Sequence, residues 1–132
     1  GYITAGESNV IDRFSFSANG NATDVGDMTS ARQNPSGTSS TTHGYTSGGY
    51  IGGYSNIIDK FQFISSVNAS DIADLTVGRS GGAGISSTTH GYCSGGNPIS
   101  NVIDKFTFAS DANATDVGDI TVGRLYSSGT QI

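Results

Sequence analysis

The chain has 132 residues, a formal net charge of −5, 20 glycines, 34% hydrophobic residues and 13% charged residues. This length fits a single domain over residues 1–132, and the negative charge argues against a nucleic-acid partner. No apolar run of about 18 residues predicts a membrane span, and no charged-then-apolar start predicts a signal peptide. A single cysteine, Cys93, cannot form a disulfide within the chain.

The first long element is the octet Asn9–Phe16, and it organises the rest of the chain because it recurs twice. Its copies are Asn56–Phe63 and Asn101–Phe108, so the anchoring residues Asn9, Asn56 and Asn101 are 47 and 45 residues apart. The similarity extends through the whole interval, and the run Ser-Ser-Thr-Thr-His-Gly-Tyr occurs unchanged in two of the intervals. A period of this length is typical of one β-propeller blade.

Each interval predicts four short strands, labelled a to d, because β-branched and aromatic residues alternate with turn-forming residues. In the middle copy, strand a is Thr38–Thr42, strand b is Tyr45–Gly49, strand c is the octet and strand d is Leu75–Arg79. His43-Gly44 is the predicted hairpin turn between strands a and b. Strand c carries apolar residues on both faces, which favours a middle strand covered by neighbouring blades. A plain β-sandwich would not explain the period.

In chain order, the segments give strands b, c and d, then two complete sets of a to d, and finally a strand a at Ser128–Ile132. The sequence therefore predicts an all-β chain, a β-propeller of three four-stranded blades with one blade split between the termini. Three blades are too few to close a ring, since propellers have about four to eight. We expect two chains to form a six-bladed ring around a two-fold axis. A nine-bladed homotrimer and a fragment of a longer repeat array are the alternatives. The residues expected at the junction between chains are Gly1, Tyr2, Ile3, Thr4, Thr130, Gln131 and Ile132.

An acidic and a basic residue recur in every repeat. An aspartate lies among the apolar residues of each strand c, and an arginine closes each strand d. These residues are Asp12, Asp59, Asp104, Arg32, Arg79 and Arg124. A buried carboxylate needs a partner, and the forked guanidinium of arginine matches it. We therefore expect one structural pairing of Asp with Arg, or of Asp with backbone, in each blade.

Two features suggest metal binding but have simpler explanations. His43 and His90 occupy equivalent predicted turns; a ring of histidines could bind a divalent metal or an anion, but histidine beside glycine also suits a tight turn. The segment Asp111–Asp119 resembles a calcium loop, yet its acidic residues miss the spacing that such loops use. Local turn capping by its Asn and Asp residues, and by their equivalents such as Asn68, explains it better. No metal and no cofactor are predicted.

No arrangement of residues predicts catalysis. The acidic residues other than Glu7 and Asp111 are repeat elements, which favours a scaffold over the paired carboxylates of glycoside hydrolysis, and no nucleophile-elbow sequence is present. Tyrosines in loops are better candidates for ligand binding, because the ring stacks and the hydroxyl forms hydrogen bonds. These candidates are Tyr50, Tyr54 and Tyr126. Ordinary loop packing is the alternative explanation for them.

The motif His-Gly-Tyr-x-Ser-Gly-Gly, followed by a loop, an Asp-bearing strand and a Gly-Arg exit, resembles a Kelch-type β-propeller repeat. The runs Asn-Val-Ile-Asp-x-Phe-x-Phe and Asn-Ala-Thr-Asp-x-Gly-Asp are similar to repeat proteins of cyanophages and marine viruses. This resemblance covers nearly the whole chain. It implies a non-enzymatic structural or recognition module, a viral structural or accessory protein of the virion or the host cytoplasm. The implied partners are further copies of the chain, a virion protein or a glycan. A carbohydrate-binding lectin is the alternative.

Overall fold

A computed structural model describes residues 1–131 of the chain. These residues form eleven β-strands in three antiparallel sheets of three, four and four strands, which confirms the predicted all-β class. The N-terminal sheet contains β1 (Tyr2–Thr4), β2 (Val10–Arg13) and β3 (Thr23–Asp27). The middle sheet contains β4 (Ser36–Ser39), β5 (His43–Ser47), β6 (Ile57–Gln62) and β7 (Ser70–Asp74). The C-terminal sheet contains β8 (Ala83–Ser86), β9 (His90–Ser94), β10 (Val102–Thr107) and β11 (Thr115–Asp119).

Each sheet is a meander in which the strands pair in the order in which the chain makes them. The registers repeat: His43 lies opposite Gln62 in the middle sheet, and His90 lies opposite Thr107 in the C-terminal sheet. All three sheets also carry an irregularity between their last two strands, as between Ile58 and Asp59. The described part of the chain contains no helix that could cross a membrane.

The hydrophobic cores lie between the sheets. One cluster joins the N-terminal and middle sheets and is formed by Ile11, Val25, Met28 and Phe61. The other joins the middle and C-terminal sheets and is formed by Tyr45, Ile58, Ala73, Leu75, Cys93, Phe106 and Ala114. Each sheet therefore buries its apolar residues against the next repeat, since a single sheet cannot bury both of its faces.

The last strand of each sheet lies earlier in the chain than predicted. In the middle sheet it is β7, Ser70–Asp74, so the prediction of a strand at Leu75–Arg79 is wrong. Residues 70–74 pair antiparallel with β6 although they resemble a turn sequence. Leu75–Arg79 instead connects two sheets, and its backbone is held by bonds from Leu75 N to Asn56 O at 2.7 Å and from Arg79 N to Ser55 O at 3.0 Å.

The hairpin turn between β4 and β5 also differs from the prediction. His43 and Gly44 open β5, and the turn spans residues 40–42. Ser40 closes it, because its Oγ accepts hydrogen bonds from the backbone N of Thr42 at 3.3 Å and of His43 at 3.0 Å. Gly44 is required for packing instead: a Cβ there would lie 2.2 Å from Cζ of Phe61. Strands β4 and β5 consequently begin two residues before the predicted strands a and b.

The segment after β11 is not a strand within the described residues. Residues 128–131, predicted as a final strand a, have no hydrogen-bonded strand partner there, so the described chain has eleven strands where twelve were predicted. Ile132, the last of the expected junction residues, lies outside the described residues. The N-terminal sheet correspondingly has three strands, and β1 is its edge.

Candidate functional site

Neighbouring sheets are joined by ion pairs that repeat from one interface to the next. Arg32, which follows β3, pairs with Asp59 on β6, and Arg79, which follows β7, pairs with Asp104 on β10. The Nη2–Oδ2 distance in the second pair is 2.8 Å, and all four side chains are buried. Each pair joins two consecutive sheets. The sequence predicted one such pairing per blade without assigning its two partners to the same sheet.

A threonine completes each buried pair. Thr29 donates from Oγ1 to Oδ1 of Asp59 at 2.8 Å and from its backbone N to Oδ2 at 3.1 Å. Thr76 binds Asp104 in the same way, at 2.6 and 3.1 Å. A buried carboxylate is tolerated only when its oxygens are well bonded, so Thr, Arg and Asp form one functional unit. We call this set the Thr–Arg–Asp unit.

An aromatic stack lies at each of the same two interfaces. The rings of Tyr2 and Phe63 stack with centroids 4.7 Å apart and an interplanar angle of 19°. The rings of Tyr45 and Phe108, one repeat later, stack at 4.8 Å and 20°. In both cases the tyrosine lies on the strand just before strand c of its own sheet, β1 or β5, and the phenylalanine lies at the end of strand c of the next sheet.

The loop after strand c adds two further bonds between sheets. Asn68 Oδ1 accepts from the backbone N of Asp27 at 3.0 Å, and the backbone N of Ala69 donates to the carbonyl O of Asp27 at 2.7 Å. The same bonds, at 3.0 and 2.8 Å, are formed one repeat later by Asn113, Ala114 and Asp74. Asn68 and Asn113 therefore join sheets, and the expectation that they cap their own turns is wrong.

The contacts between sheets are thus of three kinds: the Thr–Arg–Asp unit, the aromatic stack and the bonds of the asparagine loop. The outer surface of the N-terminal sheet carries the residues for one side of these contacts, but no sheet lies against it in the described chain. We call it the leading face, and it comprises Ile3, Asp12, Phe16, Asn21 and Ala22. Phe16 is 87% exposed, although its equivalents Phe63 and Phe108 are stacked. The Asp12 carboxylate, equivalent to those of Asp59 and Asp104, forms no hydrogen bond or ion pair within residues 1–131.

The far side of the C-terminal sheet carries the other half. We call it the trailing face, and it comprises Tyr92, Val117, Asp119, Thr121 and Arg124. Arg124 is exposed, and its Nε donates to the carbonyl O of Val122 at 3.2 Å. The buried Arg79 has the same bond, from Nε to the carbonyl O of Val77 at 3.3 Å. Arg124 thus shares this one backbone bond with Arg79, but it has no carboxylate partner among the described residues.

The two faces are complementary group by group. Thr121 and Arg124 correspond to Thr76 and Arg79, and the carboxylate that they lack corresponds to Asp12. Tyr92 corresponds to Tyr45, and the ring that it lacks corresponds to Phe16. Asp119 corresponds to Asp74, and the residues missing opposite its backbone correspond to Asn21 and Ala22. The chain therefore carries two complete interfaces and, on its two end faces, residues equivalent to each side of such an interface.

The histidines are not brought into a metal site. His43 Nδ1 lies 2.8 Å from Oγ1 of Thr42, and His90 Nδ1 lies 2.8 Å from Oγ1 of Thr89. Over residues 1–131, no three His, Cys, Asp or Glu side chains form a group that could hold a metal ion. Each histidine begins the second strand of its sheet and lies within hydrogen-bond distance of the threonine before it.

The structure brings together two of the three tyrosines proposed for ligand binding. Tyr50 and Tyr54 are exposed, and their rings meet edge to face with centroids 5.5 Å apart. Tyr126 is also exposed but lies over Gly81, where a Cβ would come within 2.8 Å of its Cδ1. The paired rings give one small aromatic patch, and Tyr126 forms no ring pair with either of them.

Cys93 is a structural residue of the second core. Its side chain is fully buried, and its Sγ donates to Oγ of Ser36 at 3.2 Å, across the contact between β9 and β4. Burial raises the pKa of the Cys93 thiol above its ordinary value, so the reactive thiolate is disfavoured.

The most informative interface residues were not singled out from the sequence. Thr121 and Phe16 were visible as repeated positions, and their repetition was the signal. Asn21 was predicted to cap a turn. Only the three-dimensional structure shows that the equivalents of these residues join neighbouring repeats. No protein-family model matches this chain, and no curated protein matches it either.

Proposed function

We propose that this chain is a non-enzymatic structural module, a Kelch-like β-propeller with three blades per chain, that assembles into a closed ring with a second copy of itself. The observation that carries the proposal is the divided third Thr–Arg–Asp unit. Thr121 and Arg124 lie on the trailing face, and Asp12 lies on the leading face. A second copy supplies each half with its missing partner.

Energetics favour this partner over an unrelated one. An arginine and an aspartate lose favourable hydration when they are buried. Their ion pair and hydrogen bonds compensate this loss only when the geometry is well matched. The two complete units show what that geometry is, and Arg124 shares with Arg79 the Nε bond to the backbone carbonyl two residues earlier. Two copies around a two-fold axis form two identical junctions and six blades, which is within the usual range. A trimer of nine blades is the alternative ring.

The viral part of the proposal rests on the sequence resemblance alone. A ring that assembles from small repeat chains suits a structural or accessory protein of a virus particle, whose partners are other copies and a virion protein. In the ring, the loops that carry Tyr50 and Tyr54 recur on one rim, which gives the module a repeated recognition surface. The virion and the host cytoplasm are the proposed locations.

The first test is the mass of the chain in solution. Light scattering coupled to gel filtration is expected to give twice the 13.4 kDa of one chain, and a threefold mass would select the nine-bladed ring. A mass of one chain at all accessible concentrations would refute the assembly.

A charge exchange identifies the faces that meet. Asp12→Arg and Arg124→Asp each place two like charges at both junctions, so each variant alone is expected to remain monomeric. An equimolar mixture forms one native and one exchanged junction, and assembly should return in the mixture. Asp71→Arg is the matched control, because Asp71 is exposed on the middle sheet and carries the same charge change. Assembly of both single variants at wild-type concentrations would contradict this choice of faces.

A carbohydrate-binding lectin is the second candidate, and the contact between the rings of Tyr50 and Tyr54 favours it. Two exposed rings meeting edge to face offer an apolar surface with hydroxyl groups at its rim, as sugar-binding surfaces do. A glycan array should then show binding that Tyr50→Ala removes and Tyr126→Ala leaves largely intact. If the chain binds none of the glycans on the array, the lectin proposal is contradicted and the structural role is the one that remains.

A further inference from the structure

We infer that residues 128–131 leave their own chain and add to the N-terminal sheet of a second copy, as its fourth strand along β1. This inference rests on the proposed ring, and it specifies how each junction is closed. The strand pairing has a defined register, in which Ser128 lies opposite Thr4 of the second copy and Gly129 lies opposite its Ile3.

The N-terminal sheet lacks the strand that the other two sheets possess. β4 and β8 form the first edge of the middle and C-terminal sheets, and nothing in the described residues takes that place beside β1. Ile3 on β1 is 57% exposed, whereas the equivalent Thr46 and Cys93 are 1% and 0% exposed. An unpaired edge with an exposed apolar residue is a site for strand addition.

Residues 128–131 already occupy the position of a first strand without a second one. The backbone N of Ser39 donates to Oγ of Ser86 at 2.8 Å, which ties β4 to β8. One repeat later, the backbone N of Ser86 donates to Oε1 of Gln131 at 3.0 Å. The C-terminal segment therefore follows β8 as β8 follows β4, and it offers its other edge to a strand that this chain does not supply.

A column of glycines shows that a strand is missing next to β4 as well. A Cβ added to Gly84 would lie 2.1 Å from the carbonyl O of Gly37, and one added to Gly129 would lie 2.9 Å from the carbonyl O of Gly84. Gly37 is the first member of the column, and a Cβ there would meet nothing within 4 Å. The exchanged strand places the carbonyl O of the second copy's Gly129 against Gly37.

The space for the exchanged strand is present. An open cavity of about 480 Å³ lies between β1, β4 and β8, and its lining includes Thr4, Gly37, Gly84 and Gln131. The register follows from the two complete sheets. Ser36 lies opposite Ser47 and Gly37 opposite Thr46, while Ala83 lies opposite Ser94 and Gly84 opposite Cys93. The equivalent pairs at the junction are Ser128 with Thr4, Gly129 with Ile3, Thr130 with Tyr2, and Gln131 with Gly1.

Cross-linking tests the register. In a Cys93→Thr background, which places the residue found at Thr46, the pair Thr4→Cys and Ser128→Cys should oxidise to a covalent dimer that reductant reverses. Directly opposed residues lie about 4.5–5.5 Å apart, within disulfide reach. The control pair Thr4→Cys and Thr130→Cys is displaced by two residues, about 7–8 Å, and should cross-link far more slowly.

The outcomes separate the exchange from the ring. If the reduced protein has twice the mass of one chain but neither cysteine pair cross-links, strand exchange is overturned and the ring proposal remains. Equal cross-linking of both pairs would overturn the register. A disulfide within one chain would show that the strand returns to its own sheet and overturn the exchange. A mass of one chain throughout would remove the ring and, with it, this inference.

Gly37→Ala provides an independent measurement that needs no cysteine. Its added Cβ touches nothing in the single chain, so folding should be unchanged, but it would clash with the incoming strand. We expect the dissociation constant to rise at least about tenfold, as overpacking of a tight contact does. Gly53→Ala is the control, since its Cβ also meets nothing within 4 Å and lies away from β1. Wild-type assembly of Gly37→Ala would overturn the exchange.

Discussion

The inner interfaces and the two end faces are built from the same repeated residues, yet their burial differs. Val25 on β3 is 9% exposed and Val117, its equivalent on β11, is 47% exposed. Phe63 stacks on Tyr2, whereas Phe16, its equivalent at the leading face, meets the ring of Phe14 edge to face in its own repeat and has no tyrosine stacked on it in the described chain. Exposure here follows from the presence of a neighbouring sheet and not from the residue type, so the end faces carry the residues of an inner interface without a neighbouring sheet.

The largest expected effect comes from breaking a filled Thr–Arg–Asp unit. Asp104→Ala leaves Arg79 buried without a carboxylate, and loss of one partner of a buried pair costs about 3–5 kcal/mol. Urea unfolding of the variant should show this loss. Asp71→Ala removes an exposed carboxylate from the same type of sheet and should change the stability little. Equal effects of the two variants would contradict the role of the buried unit.

Asp12→Ala sharpens the same comparison. Asp12 lies at the position equivalent to Asp104 but has no Arg partner in the described chain, so the stability of the dissociated chain should be nearly unchanged. Its assembly should weaken instead, which dilution experiments with light scattering will detect. A loss of stability at low concentration as large as that of Asp104→Ala would show that Asp12 has a partner within its own chain.

A smaller loss of folding stability is expected at Gly44, where the aromatic ring of Phe61 packs against the backbone. Gly44→Ala places a Cβ 2.2 Å from Cζ of Phe61, and overpacking of this kind costs about 1–3 kcal/mol. Thermal unfolding will measure the cost. Gly53→Ala is the matched control, because its Cβ would meet nothing within 4 Å. If both variants melt alike, Gly44 is not fixed by this contact.

The aromatic stack is worth less. Phe108→Leu keeps most of the apolar volume but loses the stack on Tyr45, for which we expect a loss of about 0.5–1.5 kcal/mol in urea unfolding. Phe16→Leu is the comparison at the leading face and should leave the folding of the single chain unchanged while weakening assembly. An equal loss of folding stability in both would contradict the distinction between filled and unfilled interfaces.

The smallest effect is the pH dependence due to Cys93. Burial raises the pKa of its thiol above the ordinary 9.0, so the unfolded chain releases this proton at a lower pH than the folded chain does. Stability should therefore fall as the pH rises through and beyond 9. Cys93→Thr should reduce that slope, and native Cys93 should react slowly with a thiol reagent at pH 8. A fast reaction in the folded protein would contradict its burial.

Part of the fold and of the site could be predicted from residues alone. The period of 45 to 47 residues indicated three similar units, and the alternation in strand c placed a strand where β2, β6 and β10 lie. The recurrence of Asp and Arg indicated a structural pairing. The position of the last strand was missed because residues 70–74 have a turn-like composition. These residues form a strand because they pair with β6, which the local sequence does not show.

What the sequence by itself determined is the repeat: its period, its β-strand character, and the residues that must recur for one unit to fit the next. Local composition and spacing carry that information directly. Only the tertiary structure decided that Arg32 and Arg79 reach into the following sheet. It also decided that Gly44 is required by the packing of the Phe61 side chain and not by a turn, and that the unpaired equivalents of the interface residues lie on the leading and trailing faces. These depend on which repeats lie side by side. The ion pairs between sheets join residues 25 and 27 positions apart, and the ring stacks join Tyr2 to Phe63 and Tyr45 to Phe108, separations that no local pattern can pair.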